Sequence, residues 1–228
     1  KELIDTAKML LAKPNKDETI TCLNCKKRKE SLLGDLSNNE LNILNSNRYE
    51  VSYKSGEIIC KEGIKPLGLV CLNKGKIKVL RRGVNGIQQI VGLKKAVDFI
   101  AFRALMGGIP CLSSYIALED SNVCIIRKKD FFKVIENNNN LAFKIIQMLA
   151  LNLINTDGRL VSLTQKHARS RLAEALLLVN EIYGTNPSTG ILNVSLKRSD
   201  LAGLSNMTTS NAIRVLSSFD KEKLVDID

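Results

Sequence analysis

Two groups of residues in this chain have types and spacings that could do chemistry. The first lies near the C-terminus, where Thr208, Thr209, Ser210, Asn211 and Arg214 follow closely on one another. Hydroxyl and amide side chains donate and accept hydrogen bonds, and a guanidinium donates several in a planar fork. On one helix face, this set suits base edges in a DNA major groove. Lys197 and Arg198, just upstream, suit phosphates. The second group is the six cysteines. Cys22 and Cys25 have Cys-x2-Cys spacing, which alone is a weak signature for a metal site or a redox pair. Cys60, Cys71 and Cys111 lie in strand-like or apolar stretches and read as buried small hydrophobes. The one histidine, His167, falls outside the strand-rich part of the chain. An enzyme built on a cupin-like barrel, with clustered His and carboxylate ligands, is therefore disfavoured, and no Cys–His nucleophile motif is present.

These groups need elements to position them. Ser195 to Leu216 reads as helix, tight turn and helix. Ser195 or Ser199 can cap the first helix, Leu201, Ala202 and Leu204 form its apolar side, and Gly203 to Asn206 make the turn. Thr208 can cap the second helix, with Ala212, Ile213, Val215 and Leu216 expected inward. The plain alternative is an ordinary helical hairpin. Leu224 to Ile227 is expected as a final strand, the first half of a wing.

Upstream, Ala168 to Tyr183 reads as an amphipathic helix, and a long helix is expected over residues 141 to 166. Its apolar steps, Leu141, Ile145, Met148/Leu149, Asn152/Leu153, Thr156, Leu160 and Leu163, resemble a coiled-coil seam. Such a helix packs on its own barrel or pairs with a second copy, and both are expected, on opposite faces. Asp130 to Ile135 is a further helical segment before it. Short apolar segments between glycine-containing turns fill Tyr49 to Ile126 and predict an antiparallel barrel or sandwich. Before it, Leu32 to Asn45 reads as a helix with Ser37 and Glu40 as a capping box, and Leu3, Ile4, Met9, Leu10 and Leu11 could make another. The expected divisions are a sensor barrel over 1–140, a dimerisation helix over 141–166 and a DNA-binding domain over 167–228.

The net charge of +11 fits a polyanionic partner. From Gln165 onward, however, eight Lys/Arg face seven Asp/Glu, so ten of the eleven positive charges lie earlier. The DNA-reading expectation thus rests on pattern and not on local charge. No apolar run approaches a membrane span, and six cysteines without a secretory signal point to a reducing cytoplasm.

The order of parts resembles the Crp/Fnr family of bacterial transcription regulators over roughly residues 36 to 228. Tyr53 to Gly63 is similar to the family's opening barrel hairpin, Leu69 to Val79 to its next strand pair, and Ala117 to Cys124 to the barrel's end. Ala96-Val97-Asp98-Phe99-Ile100 stands where the family has Gly-Asp-Phe-Ile-Gly, and Arg169 to Leu178 with Leu196 to Leu224 resembles its DNA-binding domain. The resemblance implies an α+β chain. Its parts are an N-terminal antiparallel β-roll of the cyclic-nucleotide-binding-like, cupin-like type, a long dimerisation helix and a C-terminal winged helix-turn-helix. It also implies a homodimer on a palindromic double-stranded DNA operator, with RNA polymerase as partner if the protein activates.

The departures bear on the effector. Members that bind cyclic nucleotides carry Gly-Glu for the ribose and Arg-Ser/Thr for the phosphate. Here the corresponding residues are Ala101-Phe102 and Cys111-Leu112-Ser113-Ser114, with Arg103 only nearby. A phosphate needs a cation or a nest of N–H groups, so cAMP is argued against. The candidate effector pocket is Phe99, Ala101, Phe102, Ser113 and Ser114. Oxygen-sensing members hold a four-iron cluster on Cys-x2-Cys-x5-Cys and one distant Cys. Cys22, Cys25 and Cys124 match, but the third position is Ser31. Three thiolates and a serine make a poor cluster site, so an iron–sulfur cluster stays open beside zinc, a redox pair or an inert remnant. For haem, His167 would be an odd axial ligand, which leaves a cysteine. Many family members also carry Arg and Glu at the positions of Thr209 and Ser210, so the half-site read here should differ. A ligand-binding barrel acting through protein contacts is the alternative reading.

Overall fold

The computed structural model describes residues 21–25 and 27–227, the Asn85 side chain excepted. The helix expected around Leu3 to Leu11 lies outside the described residues. The chain divides into two units. One holds residues up to Ile77 together with Lys94–Leu149, and the other holds Lys78–Leu93 together with residues from Ala150 onward.

Among the described residues eight strands form: β1 (Tyr49–Tyr53), β2 (Ile58–Cys60), β3 (Gly68–Lys74), β4 (Lys76–Arg82), β5 (Gln88–Lys95), β6 (Phe99–Ile100), β7 (Ser114–Ala117) and β8 (Ser121–Arg127). They make two four-stranded sheets, in the orders β1-β8-β3-β6 and β2-β7-β4-β5. Period-two patterning sets the inward faces: Ile77 and Val79 of β4 are buried, as are Val123 and Ile125 of β8. β8 pairs antiparallel with both β1 and β3, which places Cys71 directly opposite Cys124. At the β3–β4 turn Gly75 has φ +108, and a Cβ there would lie 2.1 Å from the Ser121 Oγ. Only glycine fits that turn.

Helix α1 (Asn38–Asn45) begins at Ser37, with the expected capping box to Glu40. It is shorter than the Leu32–Asn45 segment read from sequence, because the cap sets the first turn. Helix α2 (Phe102–Gly107) is reached through Ala101 in the left-handed region, φ 55. Helix α3 spans Lys128–Glu136 and α4 spans Asn139–Gln165. The Asn138 side chain accepts the Leu141 N–H at 2.8 Å and donates to Glu40 at 2.6 Å, tying α4 to the α1 cap. Leu41, Leu44, Leu69, Phe102, Phe131, Val134, Leu141 and Ile145 form the core beside the sheet.

Along α4 the burial changes. Leu141 and Ile145 are buried, while Leu151, Leu153, Ile154 and Leu160 are 61–63% exposed. The expected seam is therefore internal over its first turns and unpartnered over the rest.

In the second unit, α5 (Ala168–Tyr183), α6 (Arg198–Leu204) and α7 (Thr209–Lys221) close around Leu172, Leu201, Leu216 and Phe219. The Arg169 guanidinium stacks over the Phe219 ring at 4.6 Å. The expected strand Leu224–Ile227 is not formed. A strand requires a ladder partner, and Val225 and Ile227 instead pack onto this core as irregular chain.

Candidate nucleic-acid interface and thiol cavity

The second unit builds one polar helix face from the backbone outward. Thr208 is the N-cap of α7, and its side chain accepts the Asn211 N–H. Ala212, Leu216 and Phe219 point inward at helical spacing. That fixes the opposite face: Thr209, Ser210 and Arg214 are exposed and Asn211 half-buried. Arg214 Nη2 donates to Asn211 Oδ1 at 2.8 Å, so the two longest polar side chains of the face lie together. Ile213 was expected inward, but it is 47% exposed. The inward stripe is set by Ala212, and its neighbour falls about 100° away around the helix.

Lys197 precedes α6 and is exposed, and Arg198 is half-buried at its first turn. Asp200 holds that turn: its Oδ2 accepts the Lys197 N–H at 3.2 Å, and its Oδ1 meets Lys78 Nζ at 2.6 Å. Both side chains of this ion pair are largely buried. Gln89 donates to the Gly203 carbonyl at 2.5 Å, and Arg159 Nη2 donates to the carbonyls of Ile90 and Leu204 at 2.9 and 3.1 Å. The Lys78–Leu93 hairpin is thus joined by side chains to α4 and to the turn between α6 and α7. The sequence reading missed these residues, since pairs so distant in the chain leave no periodic signal.

In the first unit the cysteines gather. Cys22, Cys25, Cys71 and Cys124 line one cavity of about 50 Å³, with Arg28, Ser31, Arg48 and Phe99 among its other walls. That is more room than a single water needs. The Cys22 segment is held by the Asn45 side chain, which accepts the Cys22 N–H at 3.1 Å. Lys27 Nζ donates to the Asn73 carbonyl at 3.3 Å. Arg48 Nη2 donates to Cys124 Sγ at 2.9 Å and also pairs with Glu50. Burial pushes the Cys124 thiol up to about 11 against the opposing pull of Arg48. Burial raises Cys22 as well, and lifts Cys71 well above the usual thiol range, with Cys124, Cys22 and Cys25 adding to it. Ser31 is occupied as a turn residue: its hydroxyl donates to the Arg28 carbonyl at 2.7 Å and accepts the Leu33 N–H at 3.2 Å. Cys71 had been read only as a buried small hydrophobe. Its register opposite Cys124 is what brings it to this cavity.

The five candidate effector residues are dispersed. Phe99 faces the thiol cavity. Phe102 stacks on Phe99 with ring centroids 5.4 Å apart, meets Phe131 edge-on and belongs to the core. Ala101 is the buried left-handed residue before α2. Ser113 is buried, and the Ser114 Oγ accepts the Glu62 N–H at 3.1 Å. Cys111, in the same loop, has its sulfur 3.0 Å from that of Cys60, with both thiols buried. That contact raises the Cys60 thiol and lowers Cys111. His167 is exposed and precedes α5 as its N-cap. No helix among the described residues is long and apolar enough to cross a membrane.

The family model for the cyclic nucleotide-binding domain matches residues 50–138. Among curated proteins, the chain is 24% identical over 170 residues to the anaerobic regulatory protein of Bacillus subtilis, covering 74% of this chain and 71% of that protein. It is 24% identical over 173 residues to the cyclic AMP receptor protein of Thermus thermophilus, covering 76% and 77%. Among solved structures, FixK2 from Bradyrhizobium japonicum superposes with a TM-score of 0.68 at 21% identity, covering 79% of this chain and 88% of that one.

Proposed function

From a chain whose fold and relatives are those of the Crp/Fnr family of transcription regulators, we propose a sequence-specific DNA-binding regulator that works as a symmetric homodimer through residues 141–166. Its N-terminal unit answers a redox signal or a small effector other than cAMP. The observation that carries the reading is the α7 face, where Thr209, Ser210 and Arg214 are presented to solvent on a helix anchored by Ala212, Leu216 and Phe219. Thr209, Ser210, Asn211 and Arg214 reach base edges, while Lys197, Arg198 and Thr208 meet phosphates. A two-fold axis relating two such helices makes the operator an inverted repeat. The unpartnered apolar stretch of α4 supports the dimer. RNA polymerase is a further partner if the protein activates.

The reading against cAMP rests on chemistry. The loop that would take the phosphate offers Cys111, Leu112, Ser113 and Ser114, none of them a cation. For haem, His167 stands exposed at a helix cap. The thiol cavity is the better sensor. Its donors are soft, and among the described residues Arg28 Nε in its wall is the buried side-chain nitrogen without a hydrogen-bond partner. An iron–sulfur cluster fits that donor set and would supply sensitivity to oxidants when bound. Cys22, Cys25 and Cys124 would ligate it, the Asn45 contact would hold Cys22 in place, and Arg28 and Arg48 would balance its negative charge. Within the second unit, the Lys78–Leu93 hairpin is joined to α4 and α6 by Arg159 and Lys78.

In vitro selection from a random duplex pool tests the function. The expected result is an enriched inverted repeat with half-sites about one helical turn apart, or a multiple of that spacing. Binding that is salt-sensitive but enriches no sequence would overturn it and favour a barrel that acts through protein contacts.

A further inference from the structure

The sequence pattern left a cluster site one thiolate short, because Ser31 stands where a third segment cysteine is expected. The structure supplies a different fourth sulfur. We propose that Cys71, from the middle of β3, completes a four-cysteine set with Cys22, Cys25 and Cys124 that holds a polynuclear iron–sulfur centre. This rests on the reading of the cavity as the sensor, but not on DNA binding.

Four observations carry it. All four cysteines line the same cavity. Cys71 and Cys124 are direct cross-strand partners in an antiparallel pair, so their side chains leave the sheet on one face, about 5 Å apart at Cα. The Ser31 hydroxyl is used by its own turn as donor and acceptor, and it is not free to ligate. The cavity wall also holds two guanidiniums, of which Arg28 keeps a buried N–H without an acceptor. A thiolate-ligated cluster is an anion with sulfide acceptors on its surface, which answers both features. Binding would release the four thiol protons.

The arrangement also discriminates between metals. Among the described residues, no three or more Cys, His, Asp or Glu converge tightly enough to hold a single ion. A tetrahedral zinc site needs all its sulfurs about 2.3 Å from one centre, whereas a cluster places each thiolate on its own iron.

The test is anaerobic reconstitution of the full chain with ferrous and ferric iron in equal amounts and sulfide, read by metal and sulfide content and by absorption. The wild type should bind about four irons and four sulfides per chain, with a broad band near roughly 400 nm. Cys71→Ser should lose the band, and Ser31→Ala should keep it. Adding Ser31→Cys to Cys71→Ser should restore it, which separates a missing ligand from a misfolded chain. Each variant's circular dichroism and operator affinity without metal are measured alongside. Full loading of Cys71→Ser overturns the assignment of Cys71. A wild type that takes up no iron, or only one zinc per chain when zinc is offered, overturns the cluster while leaving the DNA-binding reading intact.

Discussion

Leu153→Ala tests the dimer most cleanly, because Leu153 is 62% exposed and its loss removes little from the folded protomer. Full burial of a leucine side chain is worth about 1.5–3 kcal/mol. With roughly three-fifths of that still available, pairing of α4 would gain about 1–2 kcal/mol per copy. A symmetric interface uses the residue twice, so the variant should lose about 2–4 kcal/mol of association, a rise in dimer Kd of roughly 30- to 700-fold. Sedimentation equilibrium over a concentration series reads this directly. Leu177→Ala is the control: Leu177 is 67% exposed but lies on α5, outside the seam. It should leave the dimer unchanged. An unaltered Kd for Leu153→Ala, or an equal shift for Leu177→Ala, would refute pairing through this helix.

Three further outcomes follow from the geometry. Arg214→Ala should weaken specific operator binding by about 1–3 kcal/mol without lowering the melting temperature; unchanged affinity in an anisotropy titration would remove Arg214 from the groove. Asp200→Ala breaks a largely buried ion pair and a helix cap together, and should cost about 3 kcal/mol in urea unfolding. Adding Lys78→Met should then cost less than it does alone. Tyr115, pushed by burial from its ordinary 10.0 up to about 12 against nearby Arg103, is the alkaline marker. Its folded pKa is raised, so its contribution is complete below about pH 10. It is lost as pH climbs towards about 12, a decline of about 2–3 kcal/mol. Tyr115→Phe should flatten that stretch of the stability profile.

Much of this architecture is legible in the chain because its signals are local. Ser37 with Glu40, the glycine-punctuated strands and the Thr208 cap each act within a few residues. Helix α2 escaped notice because it has six residues and no side-chain cap, and it begins from a left-handed alanine that only its surroundings can hold. The outward turn of Ile213 was missed because one apolar residue beside Ala212 fits either side of a helix boundary. Cys71 was invisible as a site residue for a different reason. Its meaning comes from the partner across the ladder, and strand register depends on residues more than fifty positions away. The same holds for Arg159 and Lys78, whose partners are carbonyls and a carboxylate far along the chain.

The bond between Asn211 and Arg214 has a consequence for how sequence is read. With one lone pair of its oxygen taken by the guanidinium, Asn211 turns its amide hydrogens outward as its unengaged donors, and Arg214 keeps its remaining N–H groups. The pair then behaves as one composite donor with its rotamers chosen before DNA arrives. Base preference would belong to the couple, and the alphabet of this helix would have one letter fewer than its side chains suggest.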